Sequence, residues 1–78
     1  MARTPLDAEL HAAIGRRLRE GRLRERRSQR EIGLAAGITQ ATLSNYERGR
    51  GQLSLVTAMR LAAAFGTSLD VLFNGVVN

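Results

Sequence analysis

Between positions 40 and 48, five residues have types and spacing suited to chemistry at the edges of nucleic-acid bases. On a helix at 100° per residue, with Gln40 at about 0°, Ser44 falls at about 40°, Arg48 at about 80°, Ala41 at about 100° and Asn45 at about 140°. Leu43 and Tyr46 fall on the opposite side, at about 300° and 240°. One side is apolar. The other carries two amides, a hydroxyl, a methyl and a guanidinium, and no acid. Amides match the edge of adenine and a methyl packs on that of thymine, so this inventory suits a major groove. Gln40, Ala41, Ser44 and Asn45 are therefore expected at the surface, with Leu43 and Tyr46 buried.

The cations lie close by in sequence. All twelve basic residues are arginine, against seven acids, giving a net charge of +5. Eight of these arginines fall between positions 16 and 30, where Glu20 and Glu25 are the only acids. Such an excess favours an anionic partner, and phosphate contacts would make binding salt-sensitive. Arg27 and Arg30 flank the expected start of a helix, whose free N–H groups attract anions. Arg48 and Arg50 follow the polar face and are placed to hold the far side of the groove.

Other chemistries find little support. Without Cys there is no disulfide framework and no thiolate zinc site or nucleophile. His11 is the only histidine, so neither a His-based relay nor a metal site can be assembled around it. No enzyme activity, metal or cofactor is expected. No apolar run approaches the length of a membrane span. Aromatic residues number three, Tyr46, Phe65 and Phe73, too few to stack splayed RNA bases.

The elements that must position these residues read as five helices with short connections, an all-α bundle of 78 residues in one domain. The first is expected from Thr4-Pro5 to about Arg26, on a stripe of Leu6, Leu10, Ile14 and Leu18 that Arg22 continues. Gly15 and Gly21 are expected to weaken it locally. Ser28 and Glu31 form a capping box for the second helix, which stops at Gly37. Thr39 caps the third, running from Gln40 to about Arg48. The fourth runs from about Leu55 to Phe65. The fifth holds Leu69, Val71, Leu72 and Phe73 before Gly75. The second and third helices are joined only by Gly37-Ile38-Thr39. So short a turn forces a steep crossing, the helix-turn-helix arrangement. Ile32, Ala36, Ile38, Leu43 and Tyr46 are placed for its core, and Gly33 for a close approach.

From Ile14 to Phe73 the chain resembles the Cro/CI-type (XRE) helix-turn-helix family. The matching stretches are Ile14-Gly15-Arg16-Arg17-Leu18-Arg19, Ser28-Gln29-Arg30-Glu31-Ile32, Ala36-Gly37-Ile38-Thr39-Gln40, Leu43-Ser44-Asn45-Tyr46-Glu47-Arg48-Gly49 and Leu69-Asp70-Val71-Leu72-Phe73. The resemblance implies a lambda-repressor-like five-helix domain on double-stranded operator DNA, usually as a twofold homodimer. It implies that Gln40, Ala41, Ser44 and Asn45 face bases and that Thr42 and Arg48 touch the backbone. Gln29 would meet a phosphate and buttress Gln40. An ion pair between Arg22 and Glu47 would tie the first helix to the third. The chain departs from the family pattern at Gly21, Arg27, Leu53 and Thr57. Arg30 and Leu34 stand where activating repressors carry acids.

These readings converge on a cytoplasmic, nucleoid-associated transcriptional regulator, a repressor or autoregulator, binding a roughly palindromic site. A homodimer is expected through the C-terminal segment of about 69–78, by Leu69, Leu72, Phe73, Val76 and Val77. With no second domain expected, regulation falls to concentration, dimerisation or a partner protein such as a toxin or RNA polymerase. The alternatives are an adaptor bridging transcription proteins with the same fold and an antitoxin-type autorepressor.

Overall fold

The computed structural model describes residues 6–76. The expected Thr4 cap, Pro5 and Val77 lie outside the described residues. Within them the chain forms α1 (Asp7–Arg24), α2 (Gln29–Ala36), α3 (Gln40–Glu47), α4 (Leu55–Ala64) and α5 (Leu69–Leu72), with no strand.

Four of these helices begin with the same local device. The hydroxyls of Ser28, Thr39, Ser54 and Ser68 accept from the backbone N–H groups of Glu31, Thr42, Thr57 and Val71. Each such cap contributes about 1 kcal/mol by satisfying a donor the helix leaves free. At α2 the box is reciprocal, since the Glu31 carboxylate accepts from the Ser28 N–H at 3.1 Å. Those hydrogen bonds, the Ser28 backbone donor first, hold the Glu31 carboxyl below the usual carboxylate range. The reciprocal bond is therefore intact at neutral pH and is lost as pH falls through that lowered value. In α1, Leu6 occupies the cap position and makes no side-chain cap bond. This helix also stops at Arg24 rather than Arg26, because Arg26 takes a left-handed φ of 55°, which a right-handed helix cannot continue through.

The core gathers one or two residues from each helix. Leu18, Ile32, Leu43 and Leu61 are fully buried, joined by Ala36, Ala62 and Leu72. Burying each of the larger side chains stabilises by about 1.5–3 kcal/mol. The α1 stripe enters this core only at its C-terminal end. Leu18 is buried, Ile14 and Leu10 are half-buried, and Leu6 is exposed. α1 lies across α3 and α5, and α2 lies on α3 and α4.

The α2–α3 turn depends on two glycines. Gly37 takes a φ of 73° at the end of α2. At Gly33 a Cβ would lie 2.9 Å from the Ile38 carbonyl oxygen, so the chain entering α3 passes against bare backbone. At the other end of the molecule the structure corrects an expectation. Leu72 is 8% exposed and belongs to the core, so its side chain is not free for a dimer interface. Leu69 and Phe73 are half-buried against the same core, and Val76 is half-buried. A four-residue helix turns a larger share of its apolar side chains inward than the sequence suggested, because the floor formed by α1 and α4 lies directly beneath it.

Candidate nucleic-acid interface

α3 presents its polar face as the angular reading requires. Gln40, Ala41 and Asn45 are exposed, while Leu43 is fully buried. Ser44 and Tyr46 are only half-buried, which departs from the expectation for both. The Ser44 hydroxyl accepts from Arg48 Nη2 at 2.6 Å, and Arg48 Nε reaches the Ser44 carbonyl at 3.3 Å. The guanidinium therefore lies back over the helix and shields the serine. With its oxygen engaged this way, Ser44 keeps its proton for an outside acceptor, such as a base carbonyl or ring nitrogen.

Gln29, Thr39, Gln40, Ala41, Ser44, Asn45 and Arg48 together line one broad, open concavity. The ends of two helices make it. Gln29 opens α2, and Thr39 and Gln40 open α3. Thr39 was not among the sequence-derived site residues. Its signal was its capping position beside Gln40, which reads first as structural. Its hydroxyl donates to the Thr42 hydroxyl at 2.8 Å and accepts from the Thr42 N–H at 3.0 Å. The half-buried Thr42 hydroxyl thus also keeps a proton to donate.

Beneath the concavity sits an ion pair. Arg22 Nε donates to Glu47 Oε2 at 2.7 Å and Arg22 Nη2 to Oε1 at 2.9 Å, a bidentate contact between α1 and α3. The hydrogen bonds from Arg22 to the carboxylate raise the arginine's already high pKa further. The two side chains are 13% and 4% exposed. Gln29 Nε2 donates to the same carboxylate oxygen, Oε1, at 3.1 Å. In the free protein one N–H of this amide is therefore held by Glu47, and its second N–H is left for another acceptor. Its carbonyl oxygen remains to face the concavity.

The arginines divide by use. Arg22 also reaches the Arg27 carbonyl at 3.2 Å. Arg27 Nη1 donates to the Ala64 carbonyl at 2.9 Å, closing the C-terminus of α4, and lies 3.5 Å from Glu25. Arg27 thus commits Nη1 to the fold, a contact the sequence did not suggest, and keeps its other donors. Position 27 lies 37 residues from its partner, and no local pattern reports such a contact. Arg30 and Arg50 are exposed, as are Arg16, Arg19, Arg24 and Arg26. Among the described residues no group of His, Asp and Glu is arranged to hold a metal ion, and no helix is long and apolar enough to cross a membrane.

Known proteins share this fold. The chain superposes on the restriction-modification controller protein C.AhdI from Aeromonas hydrophila with a TM-score of 0.78 and 32% identity, covering 81% of this chain and 96% of that one. The clp gene regulator ClgR from C. glutamicum gives a TM-score of 0.77 at 31% identity, over 87% of this chain and 84% of that one. The P22 c2 repressor, solved in complex with a synthetic operator, gives 0.72 at 26% identity, over 80% of this chain and 94% of that one. No curated protein sequence gives a significant match. The helix-turn-helix family model HTH_3 matches residues 18–72, which spans every element of the concavity and its ion-pair support. The chain belongs to this XRE-type helix-turn-helix family.

Proposed function

We propose that the protein is a sequence-specific transcriptional regulator, in the manner of a repressor or autoregulator, that lays α3 in the major groove of a roughly palindromic operator as a homodimer. The observation that carries this reading is the acid-free face of Gln40, Ala41, Ser44 and Asn45, exposed or half-exposed on a helix anchored from below by a partly buried ion pair. Gln40 and Asn45 would read bases with their amides. Thr42, Arg30, Arg48 and Arg50 would take backbone phosphates, with Arg48 swinging off Ser44 on contact. Such a protein works on chromosomal DNA, in the cytoplasm.

Selection from random duplexes tests the reading. A consensus with twofold symmetry is expected. Exchanging Asn45 for Ala should then cost about 1–3 kcal/mol on the best site and relax preference at one position per half-site. Equal loss on all duplexes would make Asn45 a backbone contact instead. A second reading, an adaptor or antitoxin-type protein that binds a partner, has one observation in its favour. Leu55, Val56 and Met59 leave an apolar surface on α4, each more than half exposed. Activity that survives loss of Gln40 and Asn45 together would favour that reading.

The proposed dimer uses the α4–α5 side. Met59, Ala63 and Leu69 line one groove there, and the half-buried Phe73 and Val76 follow Leu69 in the chain. A C2 pair would set two α3 helices about 34 Å apart, one DNA turn. Sedimentation at micromolar concentration is expected to give twice the 8.5 kDa chain mass, reduced by Met59→Asp or Val76→Asp. A mass of one chain for the unaltered protein would remove the dimer from the proposal.

A further inference from the structure

On the side of α1 away from the Arg22–Glu47 pair lies a groove of about 150 Å³, lined by Arg17, Gly21, Arg24, Glu25, Phe65, Thr67, Val71 and Leu72. Its existence depends on Gly21. A Cβ built there would meet the Phe65 ring at 3.5 Å, ordinary contact distance, so the space a side chain would fill is open. Arg17 and Arg24 stand one turn before and after Gly21 on the same helical face and so flank the opening. The floor is apolar, from the half-buried Phe65 ring and the buried Leu72, with the exposed Val71 at one edge. A cavity of this size holds about one six-membered ring.

The polar groups at the rim are not equivalent. Arg17 donates to the Asn74 carbonyl and so is already committed to the C-terminal segment. The carboxylate of Glu25 lies 3.5 Å from Arg27. Arg24 makes no hydrogen bond or ion pair among the described residues, and neither does the half-buried Thr67 hydroxyl. One free guanidinium and one free hydroxyl thus stand over an apolar slot.

We infer that this groove is a small-molecule site for a monocarboxylate with a compact apolar body, an aromatic or branched aliphatic acid. The body would rest on Phe65 and Leu72 and the carboxylate would take the bidentate geometry of Arg24, with Thr67 as a further donor. The charge pattern favours such a ligand over an acidic protein segment, because of the two guanidiniums at the rim only Arg24 has all its donors open, and Glu25 repels a second carboxylate. The space likewise admits one ring and no peptide backbone. A ligand held between α1 and the α4–α5 corner braces the helix whose opposite side anchors α3. A DNA-binding domain would thereby gain an effector.

The test is a titration with benzoate followed by amide NMR, with benzyl alcohol as the neutral counterpart. Benzoate is expected to shift the amides of Gly21, Thr67 and Val71, saturating in the millimolar range or below. Benzyl alcohol should bind at least about tenfold more weakly, because it lacks the charge that pairs with Arg24. Gly21→Leu should fill the slot, raise the melting temperature and abolish the shifts. Arg24→Gln should weaken benzoate toward the level of the alcohol. Asn45→Ala should bind benzoate as the unaltered protein does, so failure of the DNA reading and failure of this site are told apart. Equal binding by Gly21→Leu, equal binding of the alcohol, or no saturable shift up to about 10 mM would each overturn the assignment.

Discussion

Exchanging Glu47 for Ala is expected to lower stability by about 3–5 kcal/mol, and exchanging Arg22 for Ala by a similar amount. The physical reason is the charge left behind. At 13% and 4% exposure the two side chains have little water to fall back on. Each is solvated chiefly by the other, and Gln29 adds a third group to the same carboxylate. A domain of this size has a total stability of only roughly 0.05–0.15 kcal/mol per residue, so either change takes a large fraction of it. Removing both charges at once, as in Arg22→Met with Glu47→Leu, is expected to restore much of the loss, since no ion is then stranded. Glu47→Gln separates packing from charge. It keeps the shape and the hydrogen-bonding oxygen but not the ionic partner, so its cost should be smaller than that of alanine. Urea unfolding of the three single variants and the double variant measures all of these. Single-variant losses under about 1 kcal/mol would place the pair with ordinary surface salt bridges and refute the argument. The same variants also free Gln29, which loses its anchor when Glu47 goes.

Gly15→Ala is expected to destabilise by about 2–3 kcal/mol, although alanine is the better helix former by about 1 kcal/mol. A Cβ at this position would lie 2.4 Å from the Tyr46 carbonyl oxygen and 2.7 Å from that of Glu47. Both neighbours are backbone, at the C-terminal end of α3, and neither can rotate away. α1 would have to lift off α3, loosening the Arg22–Glu47 contact one to two turns further on. The same exchange at Gly21 should have the opposite sign, stabilising by about 1 kcal/mol, because the nearest atom to its Cβ is 3.5 Å away on the Phe65 ring. Thermal unfolding of the two variants side by side is the measurement. A Gly15→Ala protein as stable as the unaltered chain would show that the crossing of α1 over α3 is looser than described.

These two glycines show where reading the chain residue by residue stops. In sequence both sit inside one amphipathic helix and both are expected to weaken it. Only the crossing partner distinguishes them, and that partner lies more than 30 residues away in sequence at Gly15. The intramolecular partners of Gln29 and Arg27 were hidden for the same reason. Each is a long polar side chain at the start of a helix, and an anion is the simplest partner to expect there. Which acceptor each takes depended on where α3 and the end of α4 arrive.

What the chain determined by itself is whatever is settled within about one helical turn. Ser28, Thr39, Ser54 and Ser68 cap their helices because a hydroxyl at that position reaches a free N–H three residues on, whatever surrounds it. Gly37 ends α2 because it alone there takes a left-handed φ without cost. The two faces of α3 follow from 100° of rotation per residue. The Arg22–Glu47 tie was legible because Arg22 continues an apolar row whose direction was already known. Tertiary structure decided the rest. It drew Leu72 into the core, opened a slot over Gly21 and turned Gln29 toward Glu47. Those outcomes depend on distances between elements, set by how all the side chains pack together rather than by any one segment's preferences.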